Sequence, residues 1–137
     1  VAAPNGESGI EGPGGCFAAL AIGPLTVAAV YGAVALLAGR PIDPGEEWPF
    51  ILLQMALVSL PFLFLAAVGA RSRSTWLTGL GLTFFFWGWL LLDALTMASG
   101  RGANIGLGWI LLASPALITA ASLGVWAHVE RGGNERE

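Results

Sequence analysis

The sequence predicts an all-α integral membrane protein, a four-helix bundle running up-down-up-down with four transmembrane helices. Three observations predict it. Apolar stretches at about 16–39, 48–70, 75–100 and 103–127 fill most of the 137 residues, and each is long enough for the roughly 20 residues of helix that cross a bilayer core. Only 11% of residues are charged and 55% are hydrophobic, against about 25% charged in an average soluble domain; the mean hydropathy is +0.74. The segments between the stretches are short and rich in turn residues, so successive helices reverse direction.

Val1–Gly15 is rich in Gly, Pro and Glu and carries no Arg or Lys. A secretory signal begins with a basic region and continues into an apolar run, so residues 1–15 read as a disordered N-terminal tail. A single four-helix domain is expected over 16–128. Helix 1 closes before Pro41 and Pro44, which cannot continue it, and Asp43-Pro44-Gly45 is turn chemistry. Glu46 and Glu47 then stand at the start of helix 2, where the helix dipole favours negative charge. Pro49 belongs in a first helical turn.

Arg71 and Arg73 suit the end of helix 2 for the opposite electrostatic reason. The link at 71–74 is so short that helices 2 and 3 are expected to be antiparallel neighbours. Ser99-Gly100-Arg101-Gly102 closes helix 3, and Asn104 is a plausible N-cap for helix 4. Residues 129–137, with Glu130, Glu135, Arg136 and Glu137, read as a polar C-terminal tail.

Pro24, Pro61 and Pro115 fall inside helices 1, 2 and 4. Each removes a backbone hydrogen bond, and Ser or Thr on neighbouring turns can satisfy the freed carbonyl. Static kinks in a packed bundle account for them more simply than a moving element does. Gly102, Gly106 and Gly108 form a small-residue edge at the start of helix 4, and Gly79, Gly81 and Thr83 form one early in helix 3. Such edges let helices approach closely.

Composition excludes several functions. Cys16 is the only cysteine, so disulfide exchange through cysteine pairs has no basis in this chain. His128 is the only histidine, which rules out a bis-histidine haem site within one chain; a solvated residue at headgroup level is the plainer account of it. The net charge is −3, and no basic patch for nucleic acid exists. No catalytic set and no metal-binding cluster can be assembled, and no cofactor is expected. The six basic residues are all arginine, which with abundant Gly and Ala suggests a bacterial source.

Arginine also suggests an orientation. With both termini cytoplasmic, Arg71, Arg73, Arg131 and Arg136 lie inside, while Arg40 and Arg101 lie outside with Asp43, Glu46 and Glu47. That distribution follows the positive-inside rule. Trp48 on one side, with Trp76 and Trp126 on the other, would form interfacial belts. The expected location is a bacterial inner membrane.

Asp93 is the one acidic residue deep within an apolar stretch. At 1.5 Å per residue it lies about 10 Å below the outer end of helix 3, with Gln54, Tyr31 and Trp109 at about 9–12 Å on the other helices. A carboxylate, an amide, a phenol and an indole at similar depth form a candidate polar pocket, and three of them can donate to the fourth. Phe86, Trp89, Asp93 and Met97 share a face of helix 3, with Thr96 at its edge. That face is expected to look into the bundle, because an ionisable residue against lipid costs about 3 kcal/mol or more.

Three readings stay open: a pocket for a cation, proton or small polar ligand, a structural cluster, or an ion pair of Asp93 with Arg101 or Arg40. The inner half offers only hydroxyls, Thr26, Ser59, Thr78, Thr83, Ser114, Thr119 and Ser122, so no acid or histidine relay crosses it. The aromatic run Phe84–Trp89 suggests a surface for a pigment, quinone or lipid, although aromatics fill core and lipid-facing positions as readily. The function expected is that of a small, non-enzymatic subunit or helper of a larger membrane assembly. Its partners would be the lipid bilayer and other membrane subunits or copies of itself. The alternative is a small homo-oligomeric transporter or channel built around Asp93.

Overall fold

The computed structural model describes residues 13–39, 44–98 and 105–134. They form four helices: α1 (Pro13–Ala38), α2 (Pro44–Ala67), α3 (Arg73–Ala98) and α4 (Ile105–Asn134). Each contains a span long and apolar enough to cross a membrane. The architecture is the expected one, and the chain is a multi-pass membrane protein.

The helix ends differ from expectation for backbone reasons. α1 opens at Pro13 and α2 at Pro44, because proline is pre-organised for a first helical turn and its missing N–H is not needed there. The tail expected over 1–15 is therefore helical from Pro13, and residues 1–12 lie outside the described part. α4 runs on to Asn134 instead of yielding to a tail at 129. His128, Glu130 and Arg131 are exposed on this extension, and Arg131 in the last turn complements the helix dipole. Polarity marks where the apolar span stops, not where the helix stops.

α2 ends in a Schellman turn that was not read from the sequence. Gly69 takes φ +73°, the left-handed conformation that glycine adopts without penalty. The Ala70 amide donates to Leu65 O at 3.0 Å and the Gly69 amide to Ala66 O at 3.2 Å, the paired bonds of that motif. Ala70 and Leu65 are buried together. The Trp76 indole Nε1 then reaches back from α3 and donates to Ala70 O at 2.7 Å. Trp76 is thus a buried strut beneath the turn and not an interfacial belt residue. Trp126 also packs against this cluster, whereas Trp48 is exposed as a belt requires.

Packing is most extensive within the pairs α1/α2 and α3/α4, then between α2 and α4 and between α1 and α3. α2 and α3 touch least, and α1 and α4 make no contact among the described residues. Around the bundle the order is therefore α1, α2, α4, α3, and the α2–α3 turn crosses a diagonal. The expected neighbour relation of helices 2 and 3 holds only weakly, because a short link fixes where two helices start and not which faces they share.

Two buried clusters make the core. At the turn end, Ala19, Phe62, Leu65, Ala70 and Trp76 pack together, with the Phe62 and Trp76 rings 5.8 Å apart. Toward the loop end, Val27, Ile51, Val58 and Trp87 form the second. Close helix approach occurs at Gly23, where a Cβ would collide with Met55 O and Ser59 Oγ of α2. It also occurs at Gly79, where a Cβ would stand 3.1 Å from Phe62 Cε1 and 3.2 Å from Ser122 Oγ. The anticipated edges at Gly81 and Gly108 face open space instead, Gly106 is exposed, and Gly102 lies outside the described residues.

The prolines sit inside continuous helices. Pro115 cannot donate to Leu111 O, and Ser114 Oγ does so at 2.7 Å. This is the compensation that a carbonyl freed in lipid requires.

Candidate functional site

The six pocket candidates fall on two different surfaces. Asp93, Trp89 and Thr96 line a groove of about 410 Å³ together with Phe85, Gly88 and Leu92. Every one of these residues belongs to α3. Gln54 and Trp109 line a second cleft, of about 460 Å³, between α2, α3 and α4. Tyr31 approaches Gln54 from α1, in polar contact with its side chain and within the electrostatic reach of Glu47.

Helical geometry explains the division. The bundle-facing stripe of α3 holds Thr75, Trp76, Gly79, Thr83 and Trp87, all buried. Asp93 is six residues beyond Trp87, which turns it about 120° around the helix. It therefore stands at the edge of that stripe, about five turns beyond Thr75 and in the same direction, half-buried between the interior and the groove. Phe86 turns inward against the second core cluster, while Phe85, Trp89 and Leu92 remain exposed. Phe85 and Trp89 meet edge to face at 5.9 Å and 90°, the preferred arrangement for rings of opposing edge and face potential. The Met97 side chain lies outside the described residues.

Asp93 Oδ2 is buried without a hydrogen-bond partner. Thr96 Oγ1 donates to the Asp93 backbone oxygen at 2.8 Å. Arg101 and Arg40, the proposed ion-pair partners, lie outside the described residues. The described arginines, Arg71, Arg73 and Arg131, and His128 are all at the opposite end of the helices; Arg73 is about 30 Å from Asp93 along α3.

The second cleft has an exposed rim and a buried floor. Phe50, Trp109 and Leu112 are exposed at its rim, and Trp87, 4% accessible, closes its floor. Gln54 Oε1 is buried without a hydrogen-bond partner. Gly108 contributes no side chain there, and a Cβ on it would meet nothing within 4 Å. The sequence had marked Gly108 for helix contact; here it makes room.

Hydroxyls of the turn half mostly bond back to their own helices. Thr78 donates to Ser74 O, Thr83 to Gly79 O and Thr119 to Pro115 O, at 2.9, 2.8 and 2.7 Å. They satisfy backbone carbonyls and do not link one helix to the next. Thr75 Oγ1 and Ser122 Oγ are buried without partners, and the sequence did not single out Thr75. No group of His, Cys, Asp and Glu suited to a metal occurs among the described residues. No protein-family model matches the chain, and neither a curated protein nor a solved structure matches it.

Proposed function

We propose that this protein is a small, non-enzymatic subunit or helper of a larger membrane assembly, docked through the outer shoulder of α3. The observation that carries this reading is the Asp93 groove, an ionisable side chain within a membrane span on a wall whose described residues all belong to α3. A carboxylate left facing lipid costs about 3 kcal/mol or more, and residues of this kind pair with other polar groups inside the membrane. A transmembrane helix of a partner, carrying a basic or hydrogen-bonding side chain at the level of Asp93, would cover it. Phe85, Trp89 and Leu92 would give that helix apolar ridges, and Gly88 a notch between them.

The four spans take up most of residues 1–137 and bring few polar side chains together, which supports the non-enzymatic reading. The excess of arginine at the turn end supports cytoplasmic termini, and arginine as the only basic residue type beside abundant Gly and Ala supports a bacterial inner membrane. The alternative is a homo-oligomeric transporter or channel in which copies meet on this same face, so that Asp93 lines a path between them.

The test is affinity purification of the tagged protein from its native membranes, as wild type and as Asp93→Leu. The subunit reading expects a different membrane protein to accompany the wild type and to be lost from the variant. A discrete homo-oligomer dispersed by the same substitution would establish the alternative. A wild-type monomer without companions would overturn both.

A further inference from the structure

The Gln54 cleft is separate from the docking face and has its own chemistry. Its walls come from three helices, with Phe50 and Leu53 from α2, Trp87 from α3, and Trp109 and Leu112 from α4. Its volume, about 460 Å³, falls in the range of small-molecule sites, which are mostly apolar with a few placed polar groups. The rim is exposed where the helices face the bilayer and the floor at Trp87 is buried, so an occupant enters from the membrane. Gln54 lies about 10 Å below Glu47 along α2, within the span that starts there.

One polar feature distinguishes this cleft from a surface gap. Gln54 lines it, its side chain in polar contact with Tyr31 while Gln54 Oε1 is buried without a hydrogen-bond partner. Buried acceptors of this kind are nearly always paired. The last torsion of glutamine is broad, and binding at this acceptor requires it to turn the oxygen toward the cleft. Trp109 stands at the rim with its indole N–H, a donor only.

We propose that this cleft binds a membrane amphiphile with an apolar body and a single hydroxyl, the hydroxyl donating to Gln54 Oε1 while the body lies between Trp87, Trp109 and Leu112. A purely apolar occupant would leave the amide oxygen unpaired. An anionic one would face the negative end of the amide dipole with no cation among the described lining residues.

The probes are dodecanol and dodecyl methyl ether, in which a methyl group replaces the hydroxyl hydrogen and so removes the donor while adding apolar surface. Binding to the purified full-length chain in detergent is read by native mass spectrometry as adducts against ligand concentration. The wild type is expected to bind one dodecanol about tenfold more tightly than the ether, the ratio given by a hydrogen bond worth about 1.4 kcal/mol. Gln54→Leu should bind both probes equally. Gly108→Leu, which fills the cleft from a position with nothing within 4 Å of its Cβ, should bind neither. Equal wild-type affinity for alcohol and ether would overturn the proposal, as would a preference that survives Gln54→Leu or binding that survives Gly108→Leu. The wild-type comparison decides the point alone if a variant does not fold. None of these outcomes depends on whether Asp93 meets a partner helix.

Discussion

The two ends of the bundle are built on different terms. At the turn end, Trp76 bonds the Ala70 carbonyl, Gly79 lets Phe62 and Ser122 close in, and the Schellman bonds satisfy the end of α2. At the loop end, helices part to leave a cleft beside Gln54, and α3 presents Asp93 on an outer groove. Both residues carry a buried oxygen without a partner. Thr75 and Ser122 carry such oxygens at the turn end too, but there they lie inside close packing, whereas Gln54 and Asp93 border a cleft and a groove that lipid or another protein can reach. Stability is concentrated at the first and recognition at the second.

Substitutions at the tight packing points would break this contrast most sharply. Gly23→Leu has no room against Met55 O and Ser59 Oγ, and we expect it to prevent α1 from seating on α2 and to abolish folded protein. Gly23→Ala should retain the fold at a cost of about 1–3 kcal/mol. Thermal unfolding in detergent, followed by circular dichroism, measures both. A Gly23→Leu protein as stable as wild type would show that the helices do not meet there.

Next in size is Trp76→Phe. It keeps the ring near Phe62 but removes the donor to Ala70 O. An unsatisfied buried carbonyl costs about 1–3 kcal/mol, so the unfolding midpoint should fall clearly. Ser114→Ala removes the hydroxyl that serves Leu111 O above Pro115. Polar bonds of this kind in membranes are worth about 0.6–2 kcal/mol, so its effect should be smaller than that of Trp76→Phe. A reversed order would place the main constraint in α4 instead of at the turn.

The smallest stability effects are expected at the loop end. Gly108→Leu should shift stability by about 0.5 kcal/mol or less, the usual range away from tightly packed features, and Gln54→Leu by about 1 kcal/mol or less, since it also loses the contact with Tyr31. A large loss from either would mean that the cleft is a structural joint.

The sequence exposed some of this division and hid the rest. The four spans were legible because windows of apolar residues need no tertiary information. The bond from Ser114 was anticipated in kind, since a proline in lipid requires a substitute donor. The ring order of the helices was not legible, because nearly uniform apolar surfaces give no strong stripe to mark a face. That same uniformity hid that Asp93 stands at the edge of the interior stripe of α3, beside an outer groove. Its depth follows from counting residues, but its direction depends on Trp87 and its neighbours holding the interior stripe. Gln54 and Trp109 were grouped at similar depth and do share a cleft, whereas the groove with Asp93 lies elsewhere. The Gly69 turn could have been found, since a glycine just past an apolar helix is a standard stop signal.

The proposed subunit role requires the Asp93 face of α3 to be covered in the native membrane by a helix of another protein. Photo-crosslinking tests it most directly, with a photoreactive residue at Leu92, exposed within the groove, and a control at Leu117, exposed on α4. Leu92 is expected to capture a different membrane protein at high yield, Asp93→Leu in the same chain to abolish the capture, and Leu117 to yield only lipid adducts. Lipid adducts alone from Leu92, in cells making the protein at its natural level, would contradict that role.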